Sequence, residues 1–439
     1  MLNTENIKQA VAQAAGLCGA DAYEITISTE ESAGAEALKD EISTVSYSRG
    51  STMTVRCVLE GKSGYASSEL VSAEAAAQLV EQACANARAV DEADTMELFG
   101  GSEHYTPVSD RAEALPSAEE MKENTLKLQR MAYAASDKIV DGTQSLTSGL
   151  RIGTALINSM GLDLSYECSL VYHGLSAAVK EGEEAANDFA LAPLGREDAQ
   201  ITVDKAVSGA LSKLGARTVD SGKYDVILNK GTVRSLLSTF CSVFSARSAY
   251  HKTTLLAGKE GEMVASPCVT LVDDPFYPTK FSHCPYDGEG VAVYTKNLIE
   301  KGELKTLLYN RMFAKLLGAR TTGNAAGAKS IEAKGLYIAP GELTETALLE
   351  KLGTGLYITE LNGLHAGANT QSGDFSLQAE GFLVEEGKKV RPVKNFTIAD
   401  NFFALLKKID AIADTVEFGT GSSYGAPEIL VKDISVSGK

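Results

Sequence analysis

The sequence predicts an α+β protein: an N-terminal α/β domain over residues 1–220 and a C-terminal β-rich domain over 221–439, built on curved antiparallel sheet with short helices. Three observations point there. Helical and strand periodicities alternate through the first half. Ser221-Gly222 interrupts the pattern at mid-chain. Beyond it, paired apolar runs flank short glycine turns, as in hairpins.

In chain order, residues 3–16 read as a helix with Ile7, Val11 and Ala14 on one face. Tyr23, Ile25 and Ile27 alternate with polar residues, as a half-buried strand does, and strand patterns continue through Ile42–Tyr47 and Thr52–Leu59. An alanine-rich helix fits 72–89, opened by Ser72. A second fits 117–135, where Ser117 and Glu120 have the spacing of a capping box just after Pro116. Strands around 149–158 and 162–179 are joined by the turn Ser159-Met160-Gly161, and a helix over 199–214 ends near Gly215. After the boundary, Tyr224–Leu228 is a short strand feeding a helix over 231–248. Lys301-Gly302 and Glu386-Gly387 read as turns between Val291–Ile299 and Lys305–Tyr309, and between Phe375–Glu385 and Lys389–Ile398. Short helices are expected at 310–317, 343–352 and 401–408.

Composition narrows the function. The chain has 439 residues, 44% apolar and 23% charged, which is ordinary globular usage and enough for more than one core. Its 41 basic and 58 acidic side chains give a net charge of −17. Such a surface repels phosphate backbones and anionic membrane faces, so no direct nucleic-acid or membrane partner is expected. No run of apolar residues approaches the length of a membrane span, and residues 1–20 lack a signal-peptide pattern. Seven cysteines without Cys-x-x-Cys spacing read as reduced thiols of a cytoplasmic protein.

The residues that could carry chemistry are few. The five histidines are all more than 30 positions apart, which excludes a two-histidine helix site. His283-Cys284 could share a metal only in a loop, which Pro285 suggests, and Cys284 could serve as a nucleophile. The alternative is two loop residues packing beside Tyr286. Asp273-Asp274-Pro275 and Asp287-Gly288-Glu289-Gly290 concentrate carboxylates, either to meet a substrate amine through Asp287 and Glu289 or to build turns. Gly363 to Gly381 is dense in small polar residues. It is either a groove where a peptide backbone can approach Asn369, Thr370, Gly373 and Asp374, or a hairpin loop.

Taken in order, Asp273-Asp274-Pro275, Tyr286-Asp287-Gly288-Glu289-Gly290, Thr321-Thr322-Gly323-Asn324-Ala325, Ser372-Gly373-Asp374-Phe375-Ser376 with Glu380-Gly381-Phe382, and Asn395 to Asn401 resemble the TldD/PmbA family, once called modulator of DNA gyrase. The resemblance covers nearly the whole chain. It implies an N-terminal α/β domain, a C-terminal domain around a barrel-like sheet, and a two-subunit cytoplasmic assembly that cleaves unfolded peptides. One subunit type carries His-Glu-x-x-x-His on the first helix of the C-terminal domain, supplying zinc ligands and a base. Five residues turn about 500°, so that helix has to distort. Here Ser238-Thr239 stands where His-Glu would be, and 231–250 contains no histidine. The departure matches the PmbA (TldE) type of subunit. The resemblance therefore implies no catalytic residue and no cofactor in this chain, with zinc in a TldD-type partner, and a homodimer where that partner is lacking. A peptidase acting alone through His283 and Cys284, a homodimeric peptide-binding scaffold and a DNA-linked regulator are the alternatives.

Overall fold

The computed structural model describes residues 4–91, 97–108, 112–195, 198–280, 282–327 and 329–439. Residue 3, placed in the first helix by periodicity, lies outside them. The chain divides into two compact units. One holds Met1–Ala177, Phe189–Ala206 and Cys284–Ala292; the other holds Ala178–Asp188, Val207–His283 and Val293–Lys439.

In chain order the first half comprises α1 (Glu5–Cys18), β1 (Ala22–Leu38), β2 (Glu41–Leu59), β3 (Lys62–Ser68), α2 (Ala73–Ala89), α3 (Ala118–Ala135), β4 (Gln144–Asn158), β5 (Asp163–Glu181), β6 (Glu184–Pro193) and α4 (Ala199–Ser212). The strands form one sheet in the order β3-β2-β1-β4-β5-β6. The first five strands pair antiparallel along this order. Alternation in β1 puts Ile25, Ile27, Ala35 and Ala37 on one face, all buried. Helices α1 and α2 cover the first pair, where Ile25, Ile27, Met53 and Val55 meet Leu79, Val80 and Ala83. Helix α3 covers the second: Thr125 Oγ1 bonds Thr147 Oγ1 at 2.9 Å, and Gln129 Nε2 donates to the Ala37 and Thr143 carbonyls at 3.0 and 2.9 Å. The capping box at Ser117 and Glu120 is present as its spacing predicts. The two strand patterns 42–47 and 52–59 are one continuous strand, β2. β6, poor in β-branched residues, was not expected.

The second half begins with β7 (Gly222–Leu228) and α5 (Lys230–Phe240), a 3₁₀ turn at Cys241–Phe244, α6 (Ala246–Tyr250), β8 (Leu271–Asp273), β9 (Lys296–Glu300) and β10 (Glu303–Leu304). It continues through α7 (Arg311–Leu317), β11 (Ala325–Gly327), β12 (Ser330–Ile331), β13 (Leu336–Ile338), α8 (Glu345–Leu352), β14 (Gly355–Asn362) and α9 (Leu364–Gly367). It ends with β15 (Asp374–Glu385), β16 (Lys388–Asn401), α10 (Phe402–Lys408), β17 (Ile409–Ile412), β18 (Glu417–Phe418), β19 (Tyr424–Ala426) and β20 (Ile429–Ser437).

Strands β16-β15-β14-β7-β20 form a closed five-stranded barrel. The ring is completed by β16 on β20, with Thr397 opposite Ser437 and Ala399 opposite Ser435. A second sheet runs β10-β9-β8-β13-β19-β18. Leu228, Leu356, Ile358, Leu377, Ile398 and Val431 belong to the main core of this unit. Phe240 of α5 joins that core, stacked on Phe402 with centroids 4.5 Å apart and rings 9° from parallel. The mixed α/β class and the barrel-like second half are as expected from the sequence.

Three local expectations fail. The strand over Val291–Ile299 begins only at Lys296, in β9. The helix over 231–248 stops at Phe240, because Ser245 starts a new one: its hydroxyl accepts from the Arg247 N–H at 3.2 Å, while Ala246 N–H donates to Leu308 O at 2.8 Å. The strand over 305–309 is absent: β10 ends at Leu304, and among the described residues only one isolated bridge, Ser245 with Leu308, falls in that range.

Candidate functional site

Helix α5 is placed by its cap. The Asn229 side chain accepts the Thr232 N–H at 2.8 Å, and Thr232 Oγ1 donates back to the Asn229 carbonyl at 2.9 Å. Val233, Leu236, Leu237 and Phe240 turn into the core. Spacing of three and four residues then puts Gly231, Arg234, Ser235 and Ser238 on the opposite face. That face floors a cleft of about 500 Å³, walled by Thr359, Glu360 and Leu361 of β14, Leu364 of α9, and Gly419 and Ser422.

The cleft is lined with hydroxyls. Ser235 Oγ donates to the Gly231 carbonyl at 3.0 Å and Thr239 Oγ1 to the Ser235 carbonyl at 2.8 Å, so both protons are spent within the helix while both oxygens can still accept. Ser238 is exposed. One anion and one cation complete the lining. Glu360 accepts from Lys213 Nζ at 3.1 Å and from Asn362 Nδ2 at 3.0 Å. Burial alone would raise its carboxyl pKa, but Asn362 and Lys213 outweigh it and hold the value below normal, so Glu360 is ionised. Arg234 Nη1 lies 3.1 Å from Glu417 Oε1.

These donors do not fit a zinc ion, which takes nitrogen, thiolate or carboxylate ligands in a tight tetrahedral set. Ser238 and Thr239 offer neutral hydroxyls, and Val243, five residues beyond Ser238, is buried in the core within the 3₁₀ turn. Among the described residues, no three His, Cys, Asp or Glu side chains converge as a metal site would need.

The residues singled out in the sequence fall in separate places. Asn369, Thr370, Gly373 and Asp374 gather in one turn between α9 and β15. Asn369 Oδ1 accepts the Gln371 and Ser372 N–H groups at 2.9 and 3.2 Å, and Gly373 has φ +87°. A side chain at Gly373 would meet the Phe403 ring at 2.6 Å. Asn369, Thr370 and Asp374 line a shallow depression of about 730 Å³. Asn401 Nδ2 binds the Asp374 carboxylate at 2.9 Å and, with Ser372, keeps its pKa below the ordinary value.

Asp287 and Glu289 lie in the unit that contains the N-terminal sheet. Asp287 is buried, and its carboxylate receives the Glu289 and Val291 N–H groups at 2.9 and 3.0 Å, which is turn construction. The turn is pinned by Tyr105 Oη on the Gly290 carbonyl at 2.7 Å. His283 is buried and donates from Nε2 to the Tyr277 carbonyl at 2.8 Å, while Cys284 is half-buried.

Asp273, which sequence reasoning left between turn and ligand, is fully buried. Lys296 Nζ at 3.0 Å, Asn324 Nδ2 at 2.8 Å, and the Lys334 and Gly335 N–H groups at 2.7 Å surround its carboxylate. Glu360 and Arg234 were missed. The only sequence signal for either was an arginine on the polar face of the helix after the domain boundary.

The second half is thus a closed barrel entered by a strand–Asn–helix step, with a polar cleft over that helix. Residues 221–438 match the PmbA/TldA metallopeptidase C-terminal domain, residues 112–214 its central domain and residues 23–87 its domain 1. The chain belongs to the PmbA/TldD family. It is 27% identical to the "Metalloprotease PmbA homolog" of Haemophilus influenzae, covering 99% of this chain and 96% of that relative. A Thermotoga maritima structure described as a candidate modulator of a DNA gyrase superposes with a TM-score of 0.91 at 26% identity, covering 99% of this chain and 100% of that one. TldE of Thermococcus kodakarensis shares the fold, with a TM-score of 0.89 at 23% identity over 99% and 100% of the two chains. Among the described residues, no helix is long and apolar enough to cross a membrane.

Proposed function

We propose that this chain is the non-catalytic, PmbA (TldE) type subunit of a TldD-type zinc metallopeptidase complex that cleaves or matures unfolded peptides in the cytoplasm. One observation carries the reading. Helix α5 has an Asn cap and an open polar face, and that face carries hydroxyls at Ser235, Ser238 and Thr239 with, among the described residues, no metal-ligand set; Ser238 and Thr239 stand at the positions where the family resemblance would put metal ligand and base. A cleft kept open over a helix with no ligand set suits a part that binds or gates rather than hydrolyses. Zinc, the activated water and bond cleavage then come from the partner, and this chain completes the chamber around the peptide. Likeness to proteins named PmbA and TldE supports the assignment.

The test is metal content and peptidase activity of the purified chain, alone and mixed with a zinc-bearing TldD-type subunit. The expected result is no stoichiometric metal and no hydrolysis of an unfolded peptide by the chain alone, a heteromer on mixing, and faster hydrolysis than the partner gives by itself. Equal rates for partner and mixture would refute the proposal. Zinc bound stoichiometrically by the chain alone would refute it too, and would point first to His283 and Cys284.

A further inference from the structure

Strand β14 loses a neighbour where it borders the α5 cleft. Its parallel pairing with β7 ends at Ile358 opposite Leu228, because the chain leaves β7 through Asn229 into α5. Asn229 satisfies the next two carbonyls: its N–H donates to Ile358 O at 3.1 Å and its Nδ2 to Thr359 O at 3.2 Å. Glu360, Leu361 and Asn362 continue to pair with Glu380, Ala379 and Gln378 of β15. Among the described residues no strand lies on their other side. An unpaired edge of this kind accepts an extended chain as an added strand.

The charge at this edge is unbalanced. Lys213 Nζ lies 3.1 Å from both Asp188 and Glu360, so one cation serves two carboxylates and a net charge of −1 remains. Gly209 makes room for the arrangement, since a Cβ there would sit 1.8 Å from Asp188 Oδ2. Burial disfavours the Lys213 ammonium, but the two carboxylates more than compensate and raise its pKa, so Lys213 stays charged. Among the described residues each Glu360 oxygen has a single hydrogen-bond partner, so each can accept one more bond, such as from an ammonium.

We infer that the α5 cleft holds an extended peptide by its N-terminal end, with the main chain along Glu360–Asn362 and the terminal ammonium on Glu360. The inference deepens the proposed function, and takes peptides as the ligand class from it. Sequence tolerance follows, because an added strand is held by its own backbone while only its terminus is read as a charge.

The test is fluorescence anisotropy of the chain alone, without partner or metal, against an unstructured alanine, serine, glycine and valine peptide of about eight residues labelled at its C-terminus. It therefore reads independently of whether the subunit assignment holds. N-terminal acetylation and Glu360→Gln should each weaken binding about tenfold, as expected for one charge-assisted hydrogen bond. In the Glu360→Gln protein, free and acetylated peptides should bind alike. Ser238→Tyr, at an exposed position on the cleft floor, should abolish binding with the circular dichroism spectrum unchanged. Equal affinity of the wild-type chain for free and acetylated peptide, unaltered binding after Ser238→Tyr, or no binding at roughly millimolar peptide would overturn the inference.

Discussion

Replacing Lys296 with methionine removes the one cation from a carboxylate that has no access to water. Asp273 and Lys296 are both buried, 3.0 Å apart, and three further donors hold Asp273 in place. In Lys296→Met those three donors remain, but the negative charge stays uncompensated in the core. Breaking a buried pair from one side costs about 3–5 kcal/mol. The protein contains no tryptophan, so urea unfolding is best followed by far-ultraviolet circular dichroism, with wild type and variant compared at neutral pH. The pH dependence gives a second reading. Burial pushes the Asp273 carboxyl up, but Lys296, Asn324 and the Gly335 N–H outweigh it, so its folded pKa lies below the ordinary 3.8. A depressed carboxyl contributes stability above its unfolded value and loses it as pH falls through the folded one. Wild type should therefore lose this contribution only below about pH 4, and Lys296→Met should begin to lose stability at higher pH. The double variant Asp273→Asn, Lys296→Met should recover part of the loss, since no buried charge remains. A cost below about 1 kcal/mol for Lys296→Met would show that the pair does not hold the second sheet together and would refute the reasoning.

Two further substitutions probe the barrel and its helix. Gly381→Ala would put a Cβ 2.0 Å from the Tyr357 carbonyl oxygen and 2.9 Å from the Ile358 Cα, all backbone, so relief requires moving strand β14. The expected loss is roughly 3 kcal/mol or more, read as a fall in the urea midpoint or as insoluble protein. Phe240→Ala removes the ring stacked on Phe402 and tilted against Phe375, and should cost about 3–5 kcal/mol in the same assay while leaving the N-terminal sheet folded.

Where local chemistry decides structure, the sequence was readable. Ser117 and Glu120 cap a helix through atoms three residues apart, and Lys301-Gly302 and Glu386-Gly387 form turns at positive φ as hairpin residues do. Where distant groups decide, it was not. Apolar spacing runs unbroken through Leu236, Leu237, Phe240, Val243 and Phe244, and only Leu308, more than sixty residues on, shows why a new helix starts after Ser245. Asp273 looked like a turn residue because its neighbour is followed by proline; its partners at 296, 324, 334 and 335 come from three other segments. The candidate site divides the same way. The polar face of α5 was visible as a helix lacking histidine, but Glu360 is held by Lys213, 147 residues away, as well as by nearby Asn362, and no local pattern reveals the distant partner.

Barrel closure also dictates an order of events during synthesis. Strand β7, at 222–228, finds its antiparallel partner only in β20, at 429–437, which also seals β16. At about 5–20 residues per second, the first of these strands waits roughly 10–40 s for the last. Throughout that interval Val226, Ile227 and Leu228, all fully buried at the end, stand on an open edge. The nascent chain is thus most exposed to sticking and to mispairing until β20 emerges. A chain truncated before β20 should bind holdase chaperones far more strongly than the chain that includes it does.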